Sequence, residues 1–388
     1  MTDVAIVHTT RTHSHDAGRE LGSGIYERFA GEVPDAVIIF ASSRHDYETL
    51  LEAINASCTP AVMIGCSSAG EFTSVEPQEG TACAIALRSR TMHFSTGIAR
   101  AIGGNSEGAA HQIASSFRGL DHHEHLHRSA LLLTDALAGQ AADFIDHLML
   151  RTSGTYKFFG GGAGDDARFH RTHVFHGTEA VTDAAVALEI LSDKPVGVGV
   201  AHGWTPSSPP LRVTESTGMR LVSLNSAPAV EAFEEHAGAT SQRFDRADPM
   251  PFFLHNVLGI RTIHGYQLRV PLAIHADGSL SCAADVPEGA IVHIMEAGGL
   301  TPEATAATAT AAALDQMQGH RPAVGIVFDC VATRLRLGRD FGLELTAIGD
   351  ALGTVPYAGC NTYGQVARTD GQFSGFHNCT AVVCALPD

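Results

Sequence analysis

GCSSAGEF, residues 65–72, is the most informative stretch of this 388-residue sequence. It follows the apolar run PAVMI (60–64), so a buried strand is predicted to end in a tight turn that carries a thiol, two hydroxyls and a carboxylate. The same pattern, G-C-x-[ST]-x-G-[EQ], returns without a gap as GCNTYGQ at 359–365. This agreement indicates that the turn is one copy of a repeated element.

The flanks of the two copies agree as well. DAVIIFAS (35–42) and a helix-like stretch precede the first copy, and AVGIVFDC (323–330) and a second helix-like stretch precede the other. A looser third copy lies between them, where ALLLTDAL (130–137) leads through a helix-like stretch to YKFFGGGAGDD (156–166). Glycines alone could recur because turns need positive φ, but that need does not explain the shared cysteine or the acid or amide after the last glycine. We therefore predict an internal duplication of a strand–helix–strand–glycine turn–strand unit.

This organisation predicts an α/β protein with two related domains, at 1–220 and 221–388, each a mixed or antiparallel sheet with packed helices. The Pro/Ser loop TPSSPP (205–210) precedes the boundary. Closely spaced strands after each glycine turn argue against a purely parallel, doubly wound sheet. Pseudo-twofold packing of two duplicated domains would bring 65–71 close to 359–365, and we expect the site at that interface.

Composition restricts the class of partner. The net charge of −17 argues against nucleic acid and anionic membranes as partners. No apolar run approaches the ~18–20 residues of a membrane span, and the N-terminus does not resemble a signal peptide. The eight cysteines include no CxxC pair, and several lie in apolar strands, as expected in a reducing compartment. We expect a cytoplasmic protein.

The turn at 65–72 could also carry a nucleophile. Its G-x-S-x-x-G spacing is one residue longer than a nucleophile elbow, and a β-like segment follows it rather than a helix. Cys66 would need a nearby histidine to lower the pKa of its thiol, and none adjoins it in sequence. We therefore predict that the chain is not an enzyme, and a hydrolase that uses Cys66 or Ser67 is the alternative.

Binding fits the three turns better, because amides and hydroxyls at strand ends suit a carboxylate. Glu71 and Asp165 could then face an ammonium group. A turn that satisfies only its own backbone is the bland alternative for each copy, and FFGGGAGDD lacks the lysine of a phosphate loop. The predicted ligand-binding residues are Cys66, Ser67, Ser68, Gly70, Glu71, Gly161, Gly162, Gly164, Asp165, His202, Trp204, Asn361, Thr362, Tyr363, Gln365, His377 and Asn378.

Two of the 22 histidines are polar residues at the ends of apolar strands, namely His202 in VAHGW and His377 in FSGFHNC. Each could be a donor in a pocket or an axial haem ligand, whereas a hydrogen-bonded core residue is the default. The stretch HHEHLH (122–127) is predicted to be a solvated loop rather than a metal site. We predict no metal centre apart from a haem bound through His202 or His377.

These stretches together resemble the FIST family of intracellular signal-transduction sensory domains. GCSSAGEF, FFGGGAGDD and VGVGVAHGWTPSSPPLRVTES are similar to the N-terminal FIST region. PYAGCNTYGQVARTDGQFSGFHNCTAVVCAL is similar to the C-terminal region, so the resemblance spans nearly the whole chain.

The resemblance implies a sensor of small ligands such as amino acids. Such domains occur near or fused to histidine kinases, cyclic-di-GMP enzymes and chemotaxis receptors. This chain has no kinase, GGDEF or methyl-accepting segment, so we expect its output to pass through a separate partner such as a histidine kinase or a cyclic-di-GMP enzyme. Stand-alone members include haem proteins that sense nitric oxide and regulate a histidine kinase, which makes haem the alternative cofactor. The identity of the ligand and a homo-oligomeric state stay open.

Overall fold

The computed structural model describes residues 1–74, 77–78, 81–121, 125–263, 265–368 and 374–388. In this part of the chain, the strands form four sheets with helices packed on them. The sheets are mixed or antiparallel, so the predicted mixed α/β class is confirmed.

The first unit begins with a strand and a helix and then contains two parallel strands joined by a second helix. A glycine turn follows the second parallel strand and leads into a short hairpin and a return strand. Its elements are β1 (Thr2–Thr9), α1 (Ser14–Arg28), β2 (Ala36–Ala41), α2 (Tyr47–Cys58), β3 (Val62–Ser67), β4 (Glu71–Thr73), β5 (Pro77–Gln78) and β6 (Ala82–Ser89).

The second unit repeats this order, with a longer loop before its hairpin. The looser middle copy of the sequence is therefore a complete unit of structure. Its elements are β7 (Met92–Arg100), α3 (Ser106–Ser116), β8 (His127–Thr134), α4 (Ala141–Arg151), β9 (Lys157–Gly162), β10 (Val174–His176), β11 (Glu179–Val181) and β12 (Ala184–Ser192).

The third unit follows the same order but is interrupted after its first strand, β13 (Gly197–Ala201), by the fourth sheet. The interruption contains β14 (Trp204–Pro206), β15 (Leu211–Thr217), β16 (Arg220–Leu224), β17 (Ala227–Pro228), α5 (Ala229–Thr240), α6 (Met250–Phe253), β18 (Asn256–Thr262), β19 (Gly265–Arg269), β20 (Pro271–Ile274), β21 (Leu280–Cys282) and β22 (Ile291–Ala297). The unit then resumes with α7 (Pro302–Asp315), β23 (Pro322–Cys330), α8 (Val331–Leu337), α9 (Phe341–Leu352), β24 (Tyr357–Thr362), β25 (Gln365–Arg368), β26 (Ser374–His377) and β27 (Ala381–Pro387).

The three units exchange hairpins in a ring. The first sheet runs β1-β6-β2-β3 and is completed by β10-β11 of the second unit. The second runs β7-β12-β8-β9 and is completed by β25-β26 of the third unit. The third runs β13-β27-β23-β24 and is completed by β4-β5 of the first unit. The expected pseudo-twofold packing is therefore wrong, because the middle copy is equivalent to the other two and the arrangement has three similar parts.

Equivalent strands pair in equivalent registers. In the parallel pairs, Phe40 lies opposite Cys66 and Phe328 lies opposite Cys360. The two phenylalanines meet edge to face in the shared core, with ring centroids 5.7 Å apart. All eight cysteines, each at a described position, are unpaired and buried. The cysteine shared by the two turns is thus a core residue in both.

The fourth sheet is built from 204–297, so it straddles the predicted boundary at 220/221, and the hairpin exchange also crosses that boundary. The division into 1–220 and 221–388 stays a prediction.

Among the described residues, no helix is long and apolar enough to cross a membrane.

Candidate functional site

The three glycine turns meet, as the sequence predicts for two of them. Backbone amides of each turn donate to carbonyls of another, so the turns form one hydrogen-bonded hub. The bonds are Ala69 N to Asn361 O (2.9 Å), Asn361 N to Gly70 O (2.8 Å), Gly164 N to Ser67 O (2.9 Å), Tyr363 N to Gly162 O (2.9 Å) and Gly162 N to Gly364 O (2.8 Å).

The hub has no room for a ligand between the turns. A Cβ on Gly164 would lie 2.6 Å from the backbone nitrogen of Ala69 and 2.8 Å from its Cβ. Ser67, Ser68 and Asn361 are almost fully buried. The turn amides named above therefore bind the other turns rather than a ligand carboxylate, contrary to the expected role of the turns.

The buried acid of this hub is Glu71, and the guanidinium of Arg334 interacts with its charge. The Ser68 hydroxyl donates to one of its carboxyl oxygens, and the amide and hydroxyl of Thr81 approach the other at 3.3 and 3.2 Å. Burial raises the pKa of Glu71 to about 7, although these hydrogen bonds act in the opposite direction. Glu71 therefore keeps its proton to a higher pH than an exposed glutamate does.

Gln365 occupies the equivalent place in the third unit. Its Nε2 donates to the Thr362 hydroxyl at 2.9 Å, and its Oε1 accepts from the Thr380 hydroxyl at 3.1 Å. The partners of Glu71 and Gln365 are thus the same kinds of group in the same order. The acid or amide at the last position of the turn motif therefore links the turn to the return strand by side-chain hydrogen bonds.

Asp165 also serves the fold. Its carboxylate accepts from the amides of Phe169 (2.8 Å), His170 (2.7 Å) and Arg171 (2.9 Å), and from the phenol of Tyr363. Burial favours the neutral form, but these hydrogen bonds hold the pKa of Asp165 below its ordinary value. Its oxygens are occupied, so the expected contact with a ligand ammonium group is not supported for Asp165.

The two candidate nucleophiles are inaccessible. Cys66 and Ser67 are both 0% exposed. The Ser67 hydroxyl donates to the carbonyl of His173 at 3.3 Å and accepts from its amide at 2.9 Å. Both side chains are therefore packed inside the fold, out of contact with solvent.

The two candidate haem ligands are His202 and His377. Both ring nitrogens of His202 are engaged, Nε2 with the carbonyl of Tyr266 and Nδ1 with the amide of Trp204, each at 3.3 Å. His377 is 2% exposed, and burial lowers its pKa to about 3. Neither histidine lines the cavity of about 240 Å³ beside β23 or the cavity of about 220 Å³ beside α8, and both volumes fall below the ~300–1,000 Å³ of pockets for larger ligands. These residues do not fit haem. Residues 122–124 of the histidine-rich stretch lie outside the described residues.

A cavity of about 240 Å³ lies between β23, α7, α8 and α9, beside the hub. We call it the charged cavity, because it is lined by Asp329, Arg336 and Glu344 together with Trp204, Leu300, Thr305 and other residues. Asp329 is the penultimate residue of β23, and the helices α8 and α9 that follow it supply Arg336 and Glu344. Of the predicted site residues, Trp204 is the one that lines this cavity.

The polar groups of the charged cavity are only partly satisfied. The carboxyl groups of Asp329 and Glu344 are hydrogen-bonded to each other, whereas Arg336 Nε is buried and has no hydrogen-bond partner among the described residues. Buried polar atoms are normally hydrogen-bonded, and leaving them unsatisfied is costly. Arg336 therefore has a donor available for an acceptor inside the cavity, and the hydrogen-bonded acid pair lines the same space.

The two carboxyl groups cannot both be charged at neutral pH. Burial raises the pKa of Asp329 well above its usual range, and the charge of Glu344 raises it further. Burial also raises the pKa of Glu344 to about 7. Two acids that share a low-dielectric site retain at least one proton until a cation compensates them. The pair is therefore suited to an ammonium group.

The opposite charge comes from Arg336, whose guanidinium carbon lies 5.3 Å from the centre of the Trp204 ring. This stacking limits the movement of the guanidinium. Thr301 and Pro302, at the start of the 14-residue helix α7, also line the cavity, and the positive end of the helix dipole favours an anionic group there. The cavity thus presents an acidic and a basic region close together.

Two residues of the charged cavity, Asp329 and Glu344, could have been identified from the sequence. Asp329 is an acid within the apolar strand AVGIVFDC. Glu344 falls on the buried face of α9, between Phe341 and Ile348. A carboxylate on an apolar face is rarely buried without a specific role. Arg336 has no such signal, because a basic residue in the last turn of a helix is ordinary.

The other predicted residues lie in the hub or next to it. Asn361 and Thr362 belong to β24, and the Thr362 hydroxyl donates to the carbonyl of Asp329 at 3.2 Å. Gly70 and Gly161 form close contacts within the hub. Tyr363 and Asn378 line a second cavity, on the other side of α8.

Two known domain families match most of the chain. The FIST N domain matches residues 35–227 and the FIST C domain matches residues 229–368. The chain therefore belongs to the FIST family, whose domains are sensory domains of signalling proteins.

Two uncharacterised proteins of Mycobacterium tuberculosis, from strains CDC 1551 / Oshkosh and ATCC 25618 / H37Rv, are each 24% identical to the chain over 383 residues. Each match covers 96% of both sequences. Among solved structures, cyanuric acid hydrolase from A. caulinodans matches 100% of this chain and 99% of its own, at 7% identity and a TM-score of 0.36. PurL of T. maritima complexed with ATP matches 100% and 71% of the two chains, at 13% identity and a TM-score of 0.24. At these TM-scores, neither structure bears on the fold or the function of the chain.

Proposed function

We propose that this protein senses a small zwitterion of the amino-acid class, which it binds in the charged cavity without turnover. The observation that carries the proposal is the buried Asp329–Glu344 carboxyl pair together with Arg336 Nε, a buried donor that has no partner among the described residues, around one space of about 240 Å³. The ligand ammonium would replace the proton that the carboxyl pair retains, and the ligand carboxylate would accept from Arg336. Trp204 and Leu300 would contact an apolar side chain.

The signal would reach a separate protein, such as a histidine kinase or a cyclic-di-GMP enzyme, in the cytoplasm. Membership of a sensory family supports this part of the proposal, and the eight unpaired cysteines support a reducing compartment. The absence of turnover is supported by the burial of Cys66 and Ser67. A ligand that orders α8 and α9 around the cavity would shift the population of the conformation that the partner recognises.

The test is a thermal-shift screen and calorimetric titration of the protein with the 20 L-amino acids. We expect a subset to raise the Tm, since a ligand that binds only the native state stabilises it. Arg336→Gln and Asp329→Asn should each weaken binding of the best amino acid by about 10- to 100-fold, the range for hydrogen bonds to charged groups.

Arg339→Gln is the matched control, because Arg339 is an exposed arginine near the same helix that does not line the cavity. It should leave the affinity unchanged. The proposal is wrong if no amino acid binds, or if the Arg336 and Arg339 variants have the same affinity as the unaltered protein.

A further inference from the structure

The second cavity, of about 220 Å³, lies on the opposite side of α8, against the fourth sheet. We call it the apolar cavity. Its lining includes Leu254, Val270, Leu272, Val331, Tyr363 and Asn378. No residue that lines the apolar cavity also lines the charged cavity, so the two spaces are distinct although α8 contributes to both.

The mouth of the apolar cavity is formed by large apolar side chains that are exposed to solvent. Leu137, Phe169, Met219 and Leu335 all line it and are between 41% and 47% exposed. Exposed apolar groups that gather around one cavity indicate a binding site, whereas isolated ones need no explanation.

One wall of the apolar cavity is a stacked aromatic pair. The rings of Phe169 and Tyr363 lie 4.3 Å apart and are inclined by 11°. The backbone that holds Phe169 is unfavourable, because Asp166, Ala167 and Phe169 have φ values of 56°, 60° and 56°. Such conformations persist where surrounding contacts impose them, and they are concentrated at ligand sites. Here the Asp165 carboxylate imposes the loop conformation through the Phe169 amide.

The apolar cavity contains one unsatisfied polar atom. Asn378 is 1% exposed, and its Oδ1 is buried with no hydrogen-bond partner among the described residues. A buried amide oxygen without a donor is unfavourable, and a donor on a ligand would satisfy it. The remaining lining is mainly apolar, so the complementary molecule is apolar except for one donor.

We propose that the apolar cavity binds a small, flat, mainly apolar molecule with a single N–H or O–H donor, placed against the Phe169–Tyr363 pair and bonded to Asn378 Oδ1. An engineered cavity of about 150 Å³ in another protein holds benzene, so a space of this size suits one or two fused rings. The chain thus has a second input that differs in chemistry from the zwitterion of the charged cavity. This inference is independent of the proposed function.

The test compares two probes, indole and 1-methylindole, by calorimetric titration with the full chain. The probes have the same fused rings, but the methyl group removes the only N–H donor. We expect indole to bind about tenfold more tightly, as for one neutral hydrogen bond to a buried acceptor. In Asn378→Ala, this difference should disappear while both probes still bind.

Ala283→Leu adds a larger side chain to the wall of the same cavity and should abolish binding of both probes. Leu150→Ser is the control for adhesion to surface leucines, because Leu150 is 76% exposed and lies outside the cavity. It should bind both probes as the unaltered protein does. Thermal unfolding of each variant shows that it is folded.

The proposal is overturned if neither probe binds, or if both bind equally well to the unaltered protein. It is also overturned if Ala283→Leu leaves the binding of indole intact. The outcome does not depend on whether any amino acid binds in the charged cavity.

Discussion

The phenol of Tyr363 donates to the carboxylate of Asp165, although 198 residues separate them in the chain. The bond joins the turn of the third unit to the turn of the second unit. The same carboxylate shapes the loop that carries Phe169. One hydrogen bond therefore connects the hub to the wall of the apolar cavity.

Replacing Tyr363 by Phe should lower the free energy of unfolding by about 1–3 kcal/mol, because it removes a hydrogen bond to a buried charged group. The lost bond also helps to hold the pKa of Asp165 below its ordinary value. Stabilisation from a lowered carboxyl pKa is present above the unfolded pKa and is lost as the pH falls through the folded value. The loss in free energy of unfolding caused by Tyr363→Phe should therefore be largest at pH 7 and smaller at pH 3, as measured by urea unfolding. Tyr26→Phe, at an exposed tyrosine, should have little effect at either pH.

Replacing Glu71 by Gln should stabilise the protein at pH 8. The folded pKa of Glu71 is about 7 and lies above its ordinary value, so its contribution to stability is full below about pH 4.5 and is lost as the pH rises through 7. Glutamine cannot ionise, and Gln365 shows that a glutamine fits the equivalent position in the third unit. We expect a gain of about 1–3 kcal/mol at pH 8 and little change at pH 4.

Urea unfolding at both pH values measures this difference. Glu235→Gln, at an exposed glutamate of α5, supplies the control and should show no such dependence. Equal effects of Glu71→Gln at pH 4 and pH 8 would contradict the assignment of a raised pKa to Glu71.

Replacing Gly164 by Ala should destabilise the hub by about 1–3 kcal/mol, the usual cost of overpacking. The new Cβ would lie 2.6 Å from the backbone nitrogen of Ala69, in a different unit. Gly104→Ala is the matched control, because its Cβ meets no atom within 4 Å and its φ is not positive. Thermal unfolding of the two variants gives the comparison, and similar Tm values would show that the turns are not closely packed.

Binding of an amino acid should release protons near neutral pH. The ammonium group competes with the proton held by Asp329 and Glu344. The charge of Arg336 lowers the pKa of Glu344, and the charge of Glu303 raises it. Affinity should therefore increase from pH 6 to pH 8, by at most about tenfold per unit and for one proton. Titrations in two buffers with different heats of ionisation count the released protons. In Glu344→Gln the count should fall, and a pH-independent affinity would exclude the exchange of proton for ammonium.

Added haem should not bind through His202. Its two ring nitrogens are already engaged by backbone groups, and it does not line either of the two cavities. An equimolar addition of haem to the purified protein should give the same visible spectrum as haem added to His202→Ala. A Soret band that is present in the unaltered protein and absent from the variant would show that the site reorganises around the cofactor.

The sequence was informative where a local pattern has a local cause. The turn glycines and the apolar strands before them predicted where β3 and β24 end, and their meeting at the hub followed from the shared motif. The threefold arrangement was missed because the middle copy has Gly161 where the others have Cys66 and Cys360, and because hairpin exchange leaves no local pattern. The internal duplication itself stays a prediction.

The candidate site was less accessible to prediction than the fold. The turn residues drew attention because they recur, and they recur because they hold the three units together. Asp329 and Glu344 come from a strand and a helix that are separate in sequence, and only packing brings their carboxyl groups into one cavity. Side chains that bind a ligand need not resemble one another, whereas side chains that repeat a structural contact do.

The ring of exchanged hairpins has a consequence for synthesis of the chain. The hairpin β4-β5 leaves the ribosome early, but its partner β24 is among the last strands to appear. Arg334 and the Ala69 carbonyl, which it contacts, are 265 residues apart. Contacts this distant in sequence slow folding and leave strand edges exposed in the meantime. We expect the nascent chain to depend on chaperones until its C-terminal strands are released, and to fold as a whole.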